Sequence, residues 1–280
     1  MIQRLAVVGL GLLGGSVARA ARARALAKEI VAVGRRMAPL AAALDSGVID
    51  HATTDLAEGL READFILLAT PVATLESLLP AVWRVVASDA ILTDVGSTKE
   101  RLVRTMERLA RDRPLAFVGG HPLAGSEQSG WEAAREDLFQ GVTVILTPTG
   151  VTPEWVSGRV RDFWESLGAR VVAMPPDVHD RVVAAVSHLP HIVAYALVAA
   201  VAGLEGSPLA YAARGFKDAT RIAASDARVW REIFLTNREA LSETLRAFRS
   251  ALDELERLLS AGDALEAELD RIRRIREACP

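Results

Sequence analysis

The sequence predicts an α/β fold in two parts: a doubly wound parallel sheet over residues 1–174, followed by an all-α domain over residues 175–280. Three observations predict it. Strand-length apolar segments alternate with helical segments as far as Ala173, which is the pattern of parallel βαβ units. Everything after Asp180 has helical spacing. Between these parts, residues 174–177 (Met-Pro-Pro-Asp) form a proline break with a candidate helix cap.

The first element is an apolar strand, residues 5–8, which ends in the turn Gly9-Leu10-Gly11-Leu12-Leu13-Gly14 and leads into an alanine-rich helix. A GxGxxG turn between a strand and a helix is the dinucleotide-binding fingerprint of Rossmann-type folds. Gly9 allows the tight turn, Gly11 admits a pyrophosphate, and Gly14 lets the helix pack close to the strand. The helix N-terminus then offers free N–H groups and its positive dipole end to the phosphates. We therefore expect a dinucleotide to contact Gly9, Gly11, Leu12, Leu13 and Gly14, the alternative being a glycine-rich turn without a ligand.

Composition narrows the class of protein. The 280 residues are half apolar and carry a formal net charge of −3, which gives no electrostatic footprint for nucleic acid. The single cysteine, Cys279, cannot form an internal disulfide, so nothing indicates an oxidising compartment. Charged residues interrupt the apolar runs, and the N-terminus leads directly into the first strand, so we expect neither a membrane span nor a signal peptide. The expected location is the cytoplasm.

The second strand, residues 30–33, ends in Gly34-Arg35-Arg36. In NAD-binding folds an acidic residue usually stands here and binds the ribose 2′-OH. This chain has no carboxylate at that point, and its two guanidinium groups can receive a 2′-phosphate. The pattern favours NADP over NAD, with two solvated arginines and dual cofactor specificity as the alternative.

The next two strands end in turns that suit a ligand. Residues 64–69 form a buried strand ending at Thr70-Pro71-Val72, and residues 90–93 form a strand that leads to Gly96 and Ser97. Helices are expected at residues 39–47 and 75–86. Ligands of open parallel sheets lie at the carboxyl ends of the strands. We therefore expect the cofactor to contact Thr70, Pro71, Val72 and Gly96. For Ser97, a hydrogen bond to substrate or nicotinamide and a helix N-cap are equally favoured.

The sheet is expected to continue through three further strands, at residues 117–120, 141–146 and 169–173, with a helix at residues 154–167. The first of them delivers a polar, glycine-rich loop, residues 121–130, which begins with a histidine. Beyond the boundary we expect an apolar helix over residues 181–201, kinked by a proline at position 190 because that residue lacks an N–H group. This helix is expected to be buried, in part against a second subunit. Charged amphipathic helices follow at residues 227–259 and 264–278.

The chain has five histidines, and histidine is the most common catalytic base. His51, in a polar connection, and His179, at a helix start, are interpreted as structural. His121 stands at the ligand edge of the sheet and is the candidate base, against a structural turn histidine. His188 and His191 share one helix face and are interpreted as core histidines, with a metal site as the alternative. No third metal ligand is evident near them, so we expect no metal site.

A second run that resembles a binding site is Gly215-Phe216-Lys217-Asp218-Ala219-Thr220-Arg221. Lys217 and Arg221 are four residues apart and are expected to project together from a helix. Such a pair can bind a carboxylate, which arginine holds with two parallel hydrogen bonds. A solvated basic face is the alternative.

Five motifs resemble the prephenate/arogenate (cyclohexadienyl) dehydrogenase family, and the similarity runs nearly end to end. They are VVGLGLLGGS at residues 7–16, DVGSTK at 94–99, HPLAGSEQSG at 121–130, HDRVVAAVSHLPH at 179–191 and GFKDATRIAASDARVWREIF at 215–234. The resemblance implies a Rossmann-type domain, a helical dimerisation domain and an active site between them. It implies oxidative decarboxylation of prephenate or arogenate with NAD(P)+, giving 4-hydroxyphenylpyruvate or tyrosine and CO2.

The resemblance also implies roles for individual residues. His121 accepts the proton of the ring hydroxyl as hydride leaves the same carbon, and Ser97 binds that hydroxyl. Arg221 holds a substrate carboxylate, and Glu127 closes the pocket. The other expected substrate contacts are Ser126, Gln128, Ser187, His188, His191 and Lys217. This chain departs from the family at position 34, where it has glycine and NAD-specific members carry Asp. The competing hypotheses are another NADP-dependent enzyme of the β-hydroxyacid dehydrogenase or imine reductase type, and a non-catalytic NADP-binding sensor.

Overall fold

A computed structural model describes residues 1–111, 116–125, 128 and 130–279 of the chain. Its first part is built around one eight-stranded sheet, with the strand order β3-β2-β1-β4-β5-β6-β7-β8. The strands are β1 (Ile2–Val8), β2 (Ala27–Val33), β3 (His51–Thr53), β4 (Phe65–Leu68), β5 (Ile91–Asp94), β6 (Ala116–Pro122), β7 (Thr143–Thr147) and β8 (Arg170–Ala173). The predicted α/β class is confirmed.

The direction of the strands places the ligand edge. Strands β1 to β6 are parallel, so their carboxyl ends meet at one edge. The strand order reverses between β1 and β4, and such a reversal opens a crevice for ligands at that edge. Strand β7 runs antiparallel to β6, and β8 is parallel to β7. The apolar pattern predicted these two strands but not their direction.

Helices cover both faces of the sheet, as a doubly wound fold requires. One buried apolar cluster joins the sheet to α1 and α6, and another joins it to α4 and α5. The helices of this part are α1 (Leu12–Ala23), α2 (Met37–Asp45), α3 (Leu56–Leu60), α4 (Val72–Val85), α5 (Glu100–Leu109) and α6 (Glu154–Ser166). A 3₁₀ turn spans Trp131–Ala133.

The second part is helical throughout. Its helices are α7 (Pro176–Val183), α8 (Leu189–Ala202), α9 (Arg214–Thr220), α10 (Ala227–Thr236), α11 (Arg238–Leu258) and α12 (Gly262–Glu277), with 3₁₀ turns at Pro208–Tyr211 and Arg221–Ala224. A π-helical turn, Ala184–His188, joins α7 to α8. In place of the expected simple kink at Pro190, the N–H of Leu189 bonds to the carbonyl of Ala184, five residues back.

The expected single helix over residues 227–259 is in fact two. It breaks at Asn237, whose side chain is buried and donates from Nδ2 to the main-chain oxygen of Asp180. The amphipathic pattern continues through the break, so the sequence did not reveal it.

The apolar helical segment Pro176–Ala202 corrects two expectations. Between Arg181 and Glu205 the chain has no Asp, Glu, Lys or Arg, so the expectation that charges interrupt every long apolar run was wrong. The segment is long and apolar enough to cross a membrane by length and composition alone. The expected burial is also not found within one chain, since only 22% of its most apolar window is buried.

Candidate active site

The glycine turn after β1 is shaped to admit a dinucleotide. Gly9 has a φ of +101°, and a Cβ there would lie 2.6 Å from the carbonyl oxygen of Ala69. A Cβ on Gly14 would lie 2.0 Å from the oxygen of Gly9, so helix α1 can approach the strand only without a side chain. A Cβ on Gly11 would meet nothing within 4 Å, which leaves this side of the turn open to a pyrophosphate. Leu12 and Leu13 begin α1, whose N-terminal N–H groups adjoin the same opening.

The other predicted cofactor residues lie at the same edge of the sheet. Thr70 and Pro71 follow β4, and Val72 begins α4, while Gly96 follows β5. The hydroxyl oxygen of Thr70 is buried without a hydrogen-bond partner. A buried polar atom without a partner is costly, so a ligand group that binds this hydroxyl would relieve the cost. These residues therefore fit a dinucleotide laid across the carboxyl ends of β1 and β4.

Gly34, Arg35 and Arg36 lie between β2 and α2, and both arginines are exposed. A Cβ on Gly34 would lie 3.2 Å from Cδ2 of Leu40, so an acidic side chain at this position would require Leu40 to shift. The end of β2 thus carries two cations and no carboxylate at the position where a ribose is expected.

The loop between β5 and α5, residues 95–99, is held by a buried ion pair. The carboxylate of Asp94 accepts N–H bonds from Gly96 (2.8 Å) and Gly120 (3.1 Å) and pairs with the ammonium group of Lys99. Neither side chain of the pair is exposed to solvent. Ser97 lies in this loop and is partly exposed. Because Gly120 immediately precedes His121, the same carboxylate fixes the loop of Ser97 against the end of β6.

His121 makes a close contact with a second histidine, His179, which was expected to be structural. Nδ1 of His121 lies 2.8 Å from Nε2 of His179. Nδ1 of His179 lies 2.8 Å from Oδ1 of Asp180. The carboxylate of Asp180 also accepts the N–H groups of Lys99 (2.8 Å) and Glu100 (3.0 Å) at the N-terminus of α5. A chain of hydrogen bonds thus runs from the end of β6 into helix α7.

Burial keeps these histidines neutral. Desolvation, with the nearby charges of His179, Lys99 and His188, holds the pKa of His121 well below its ordinary value. Burial also lowers the pKa of His179, although its hydrogen bond to Asp180 opposes the shift. Burial lowers the pKa of His188 to about 4. All three imidazoles are therefore uncharged near neutral pH and able to exchange hydrogen bonds with a substrate.

His188 and His191 lie on the π turn and at the start of α8. Nδ2 of Asn237 lies 3.1 Å from Nδ1 of His188. An amide nitrogen only donates, so the proton of neutral His188 must be on Nε2. Nδ1 of His191 instead donates to the carbonyl of Ser187 at 3.0 Å. The ring of His191 stacks on Trp230 at a centroid distance of 3.4 Å.

The predicted basic residues lie nearby but are more exposed. Lys217 is exposed on α9, whereas Arg221 is in the 3₁₀ turn that follows it, so the two do not share one α-helix. The charge of Arg221 contributes to the lowered pKa of His191, which places the guanidinium close to that ring. Gln128 is exposed. Ser126 and Glu127 lie outside the described residues.

Sequence reasoning missed several residues of this cluster: Asp94, Lys99, His179, Asp180, Trp230 and Asn237. His179 and Asp180 stood inside one of the recognised motifs, but their adjacency at a helix start suggested a cap. In a regular α-helix, His179 and His188 would lie about 180° apart. The π turn carries an extra residue and brings both toward His121. His51, by contrast, begins β3 rather than lying in a connection, and it pairs with Glu29 at 2.9 Å.

Comparisons with known proteins give one consistent result. The family model of the prephenate dehydrogenase nucleotide-binding domain matches residues 17–173, and that of its dimerization domain matches residues 175–273. A cyclohexadienyl dehydrogenase from Zymomonas mobilis is 36% identical over 94% of this chain and 90% of that protein. A prephenate dehydrogenase from Bacillus subtilis is 36% identical over 94% of this chain and 72% of that protein.

A solved structure extends the similarity to the whole fold. The prephenate dehydrogenase from Aquifex aeolicus, in complex with hydroxyphenyl propionate and NAD+, is 36% identical and superposes with a TM-score of 0.93. The match covers 99% of this chain and 98% of that one.

Proposed function

The chain belongs to the prephenate dehydrogenase family, and from this premise we propose how its residues perform the oxidative decarboxylation of prephenate in tyrosine biosynthesis. The substrate ring loses a hydride and CO2 and becomes aromatic as 4-hydroxyphenylpyruvate. The nicotinamide cofactor, when bound, accepts the hydride. Because aromatisation supplies the driving force, the protein must chiefly orient the reactants and accept the proton of the ring hydroxyl, which returns to the phenolate oxygen after CO2 has left.

We assign the proton acceptor to His121. The observation that carries this assignment is its environment: it lies near the end of a strand at the cofactor edge, and burial, with the positive charge of Lys99 nearby, keeps its pKa low. A base must be unprotonated before the reaction, and His121 meets this condition at neutral pH. Ser97, in the adjacent loop, is assigned to bind the same hydroxyl and orient it toward the imidazole.

The remaining substrate contacts are assigned to the helical part. His188, with its proton on Nε2, donates a hydrogen bond, and His191 lines the pocket beside Ser187. Arg221 holds a carboxylate with its planar guanidinium, and Lys217 adds positive charge. From the family resemblance alone, Ser126, Glu127 and Gln128 complete the pocket.

We propose NADP as the preferred cofactor, with NAD accepted less well. Support comes from the two exposed arginines after Gly34 and from the crowding that an acidic residue would meet there. The solved relative that contains NAD+ supports a nicotinamide dinucleotide in general. We further propose domain limits of 1–174 and 175–280, a homodimer in the cytoplasm, and no nucleic-acid or membrane partner.

The choice between prephenate and arogenate is tested by one assay. Purified protein is given each substrate with NAD+ and with NADP+, and the reduced cofactor is followed by absorbance. The family predicts turnover of prephenate. Turnover of both substrates would identify a cyclohexadienyl dehydrogenase, the name carried by the relative from Zymomonas mobilis. Cofactor binding without turnover of either substrate would instead support a non-catalytic sensor.

The role of His121 is tested by His121→Asn. We expect kcat to fall roughly 10²- to 10³-fold, in the lower half of the usual general-base range, with a smaller change in KM. In the wild type, kcat/KM should fall as pH drops through the lowered pKa of His121, so its acid limb lies below about 6.5, the ordinary histidine value. This limb should vanish in the variant.

His51→Asn is the matched control, because His51 is an exposed histidine on the edge strand β3, which four other strands separate from β6. It should leave both kcat and the pH profile unchanged. If His121→Asn keeps more than about half of the wild-type kcat with the acid limb intact, the base is another residue, and His191 is the next to test.

A further inference from the structure

His179 belongs to the helical part of the chain, yet it contacts the candidate base of the sheet domain, and Asp180 beside it holds its other ring nitrogen. We propose that His179, held by Asp180, is a positioning residue that fixes the tautomer and the orientation of His121. The inference rests on the proposed function of His121 as proton acceptor. It adds that the base is competent only when α7 is packed against the end of β6.

The proton positions follow from the carboxylate. Asp180 accepts three N–H groups, from His179, Lys99 and Glu100, and a carboxylate has no proton to donate. Nδ1 of His179 must therefore carry the proton. In the neutral ring, Nε2 of His179 is then an acceptor.

The same logic passes to His121. Since Nε2 of His179 accepts, Nδ1 of His121 at 2.8 Å must donate. The proton of neutral His121 is thus fixed on Nδ1, and the lone pair of Nε2 is left to accept a proton from the substrate. Without His179, neutral His121 can place its proton on either nitrogen, and one of the two tautomers has no acceptor at Nε2.

Asp180 is rigidly placed, so the hydrogen bonds from Asp180 through His179 can set the orientation of the His121 ring as well as its tautomer. Its two oxygens are fixed by the first N–H groups of α5, and its main-chain oxygen accepts from Nδ2 of Asn237. The imidazole of His179 is fully buried, with its ring edge-on to that of His121 at a centroid distance of 5.0 Å. Three separate elements therefore position one imidazole against the base.

The charged and titratable groups around the pair come from every neighbouring element. Lys99 and Asp94 face it from the loop and end of β5, His188 from the π turn, and Asp180 from α7. His179 both covers His121 and lowers its pKa. Removing the side chain of His179 should therefore let water reach His121 and raise its pKa toward the ordinary value.

The test compares His179→Ala with His179→Gln in the full-length protein. The alanine variant should lower kcat roughly tenfold to a hundredfold, the scale of a misplaced catalytic group, with little change in KM. Its acid limb in kcat/KM should move up toward pH 6.5. The glutamine variant should recover a substantial part of kcat, because its amide oxygen can accept from Nδ1 of His121. Cofactor affinity, measured by tryptophan fluorescence, should be unchanged in both and reports correct folding.

A double-variant cycle separates this inference from the proposed function. In the His121→Asn background, His179→Ala should cause no further loss, because there is no base left to position. Histidine ¹H–¹⁵N correlation spectra should show His121 as the Nδ1–H tautomer in the wild type and as a mixture in His179→Ala.

Two outcomes would overturn the inference while leaving His121 as the base. One is wild-type kcat in His179→Ala; the other is equal loss in the alanine and glutamine variants with an unmoved acid limb. A fully active His121→Asn would instead refute the proposed base itself, whatever the His179 variants do.

Discussion

Arg35 is the residue whose charge most directly tests the choice of cofactor. It is exposed beside the end of β2, where a ribose is expected. Arg35→Ala should weaken NADP+ by about 1.5–3 kcal/mol, the contribution of a charged hydrogen bond, and should leave KM for NAD+ nearly unchanged. Steady-state kinetics with both cofactors provides the measurement. Arg159→Ala, an exposed arginine on α6, is the control, and equal losses for the two cofactors would contradict the prediction.

Arg221 tests how the substrate is anchored. If the guanidinium binds a carboxylate through two parallel hydrogen bonds, a lysine cannot reproduce the contact. Arg221→Ala and Arg221→Lys should therefore both raise KM for prephenate, by about 1.5–3 kcal/mol in binding, with a smaller effect on kcat. Arg257→Lys, on the surface of α11, should change neither constant. A wild-type KM in Arg221→Lys would contradict this role and would indicate that Lys217 or Arg214 binds the carboxylate.

The position of His121 could be predicted from the sequence, whereas its role as the base stays a prediction. A polar residue at the carboxyl end of a parallel strand lies at the ligand edge whatever the rest of the fold does. His179 was not found, because its partner comes from β6, 58 positions earlier in the chain. The buried pair of Asp94 and Lys99 was missed for a different reason. Charged residues are rarely fully buried, so a lone lysine in a loop is normally assigned to the surface.

At the scale of elements, the π turn before Pro190 accounts for how α7 and α8 reach the site together. Pro190 has no N–H group, so the carbonyl four residues earlier cannot be satisfied in the ordinary way. The chain instead takes in one extra residue, and such insertions are frequent at functional sites. This turn holds His188, and its Ser187 carbonyl receives the Nδ1 proton of His191.

Pro190→Ala tests whether the proline causes the π turn. With an N–H group restored, a regular α-helix becomes possible, and the histidines before and after the turn change register. We expect kcat/KM for prephenate to fall roughly tenfold to a hundredfold, as for a displaced catalytic group, without a lower thermal midpoint of unfolding. Pro80→Ala is a matched control, since Pro80 lies exposed inside α4. Unchanged kinetics in Pro190→Ala would show that the turn does not depend on the proline.

Elements were predicted best where periodicity and turns agree. Among the strands, only the short β3 was not anticipated. Among the helices of the sheet domain, only α3, a single short turn, was not anticipated. The break at Asn237 was missed because it depends on a buried hydrogen bond to Asp180 rather than on glycine or proline. The antiparallel direction of β7 is likewise set by its pairing with β6, which no local pattern encodes.

At the scale of the whole molecule, the site is assembled from both parts of the chain. The sheet edge supplies the glycine turn, Ser97 and His121. The helical part supplies His179 from α7, His188 from the π turn, His191 from α8 and Trp230 from α10. A hydrogen bond between the two parts reinforces the junction, since the main-chain N–H of Ala73 at the start of α4 donates to Oε2 of Glu232 on α10 at 3.2 Å. Any change in how the two parts pack therefore alters cofactor and substrate sites together.

The apolar surface of the helical part indicates that two copies of the chain associate through it. The segment Pro176–Ala202 is strongly apolar but mostly uncovered in one chain, and Val186 and Leu197 are 67% and 37% exposed. Exposed apolar surface on this scale marks an interaction site, and the matching dimerization domain makes a second copy of the chain the expected occupant.

We expect sedimentation at micromolar concentration, without detergent, to give twice the chain mass of 30.0 kDa. Leu197→Glu should shift the population toward monomer, because a charge in an apolar interface is costly. Val151→Glu, at a 69% exposed position of the sheet domain, should leave the dimer intact. A wild-type species of one chain mass, or a protein that stays in solution only with detergent, would refute dimerisation through this face.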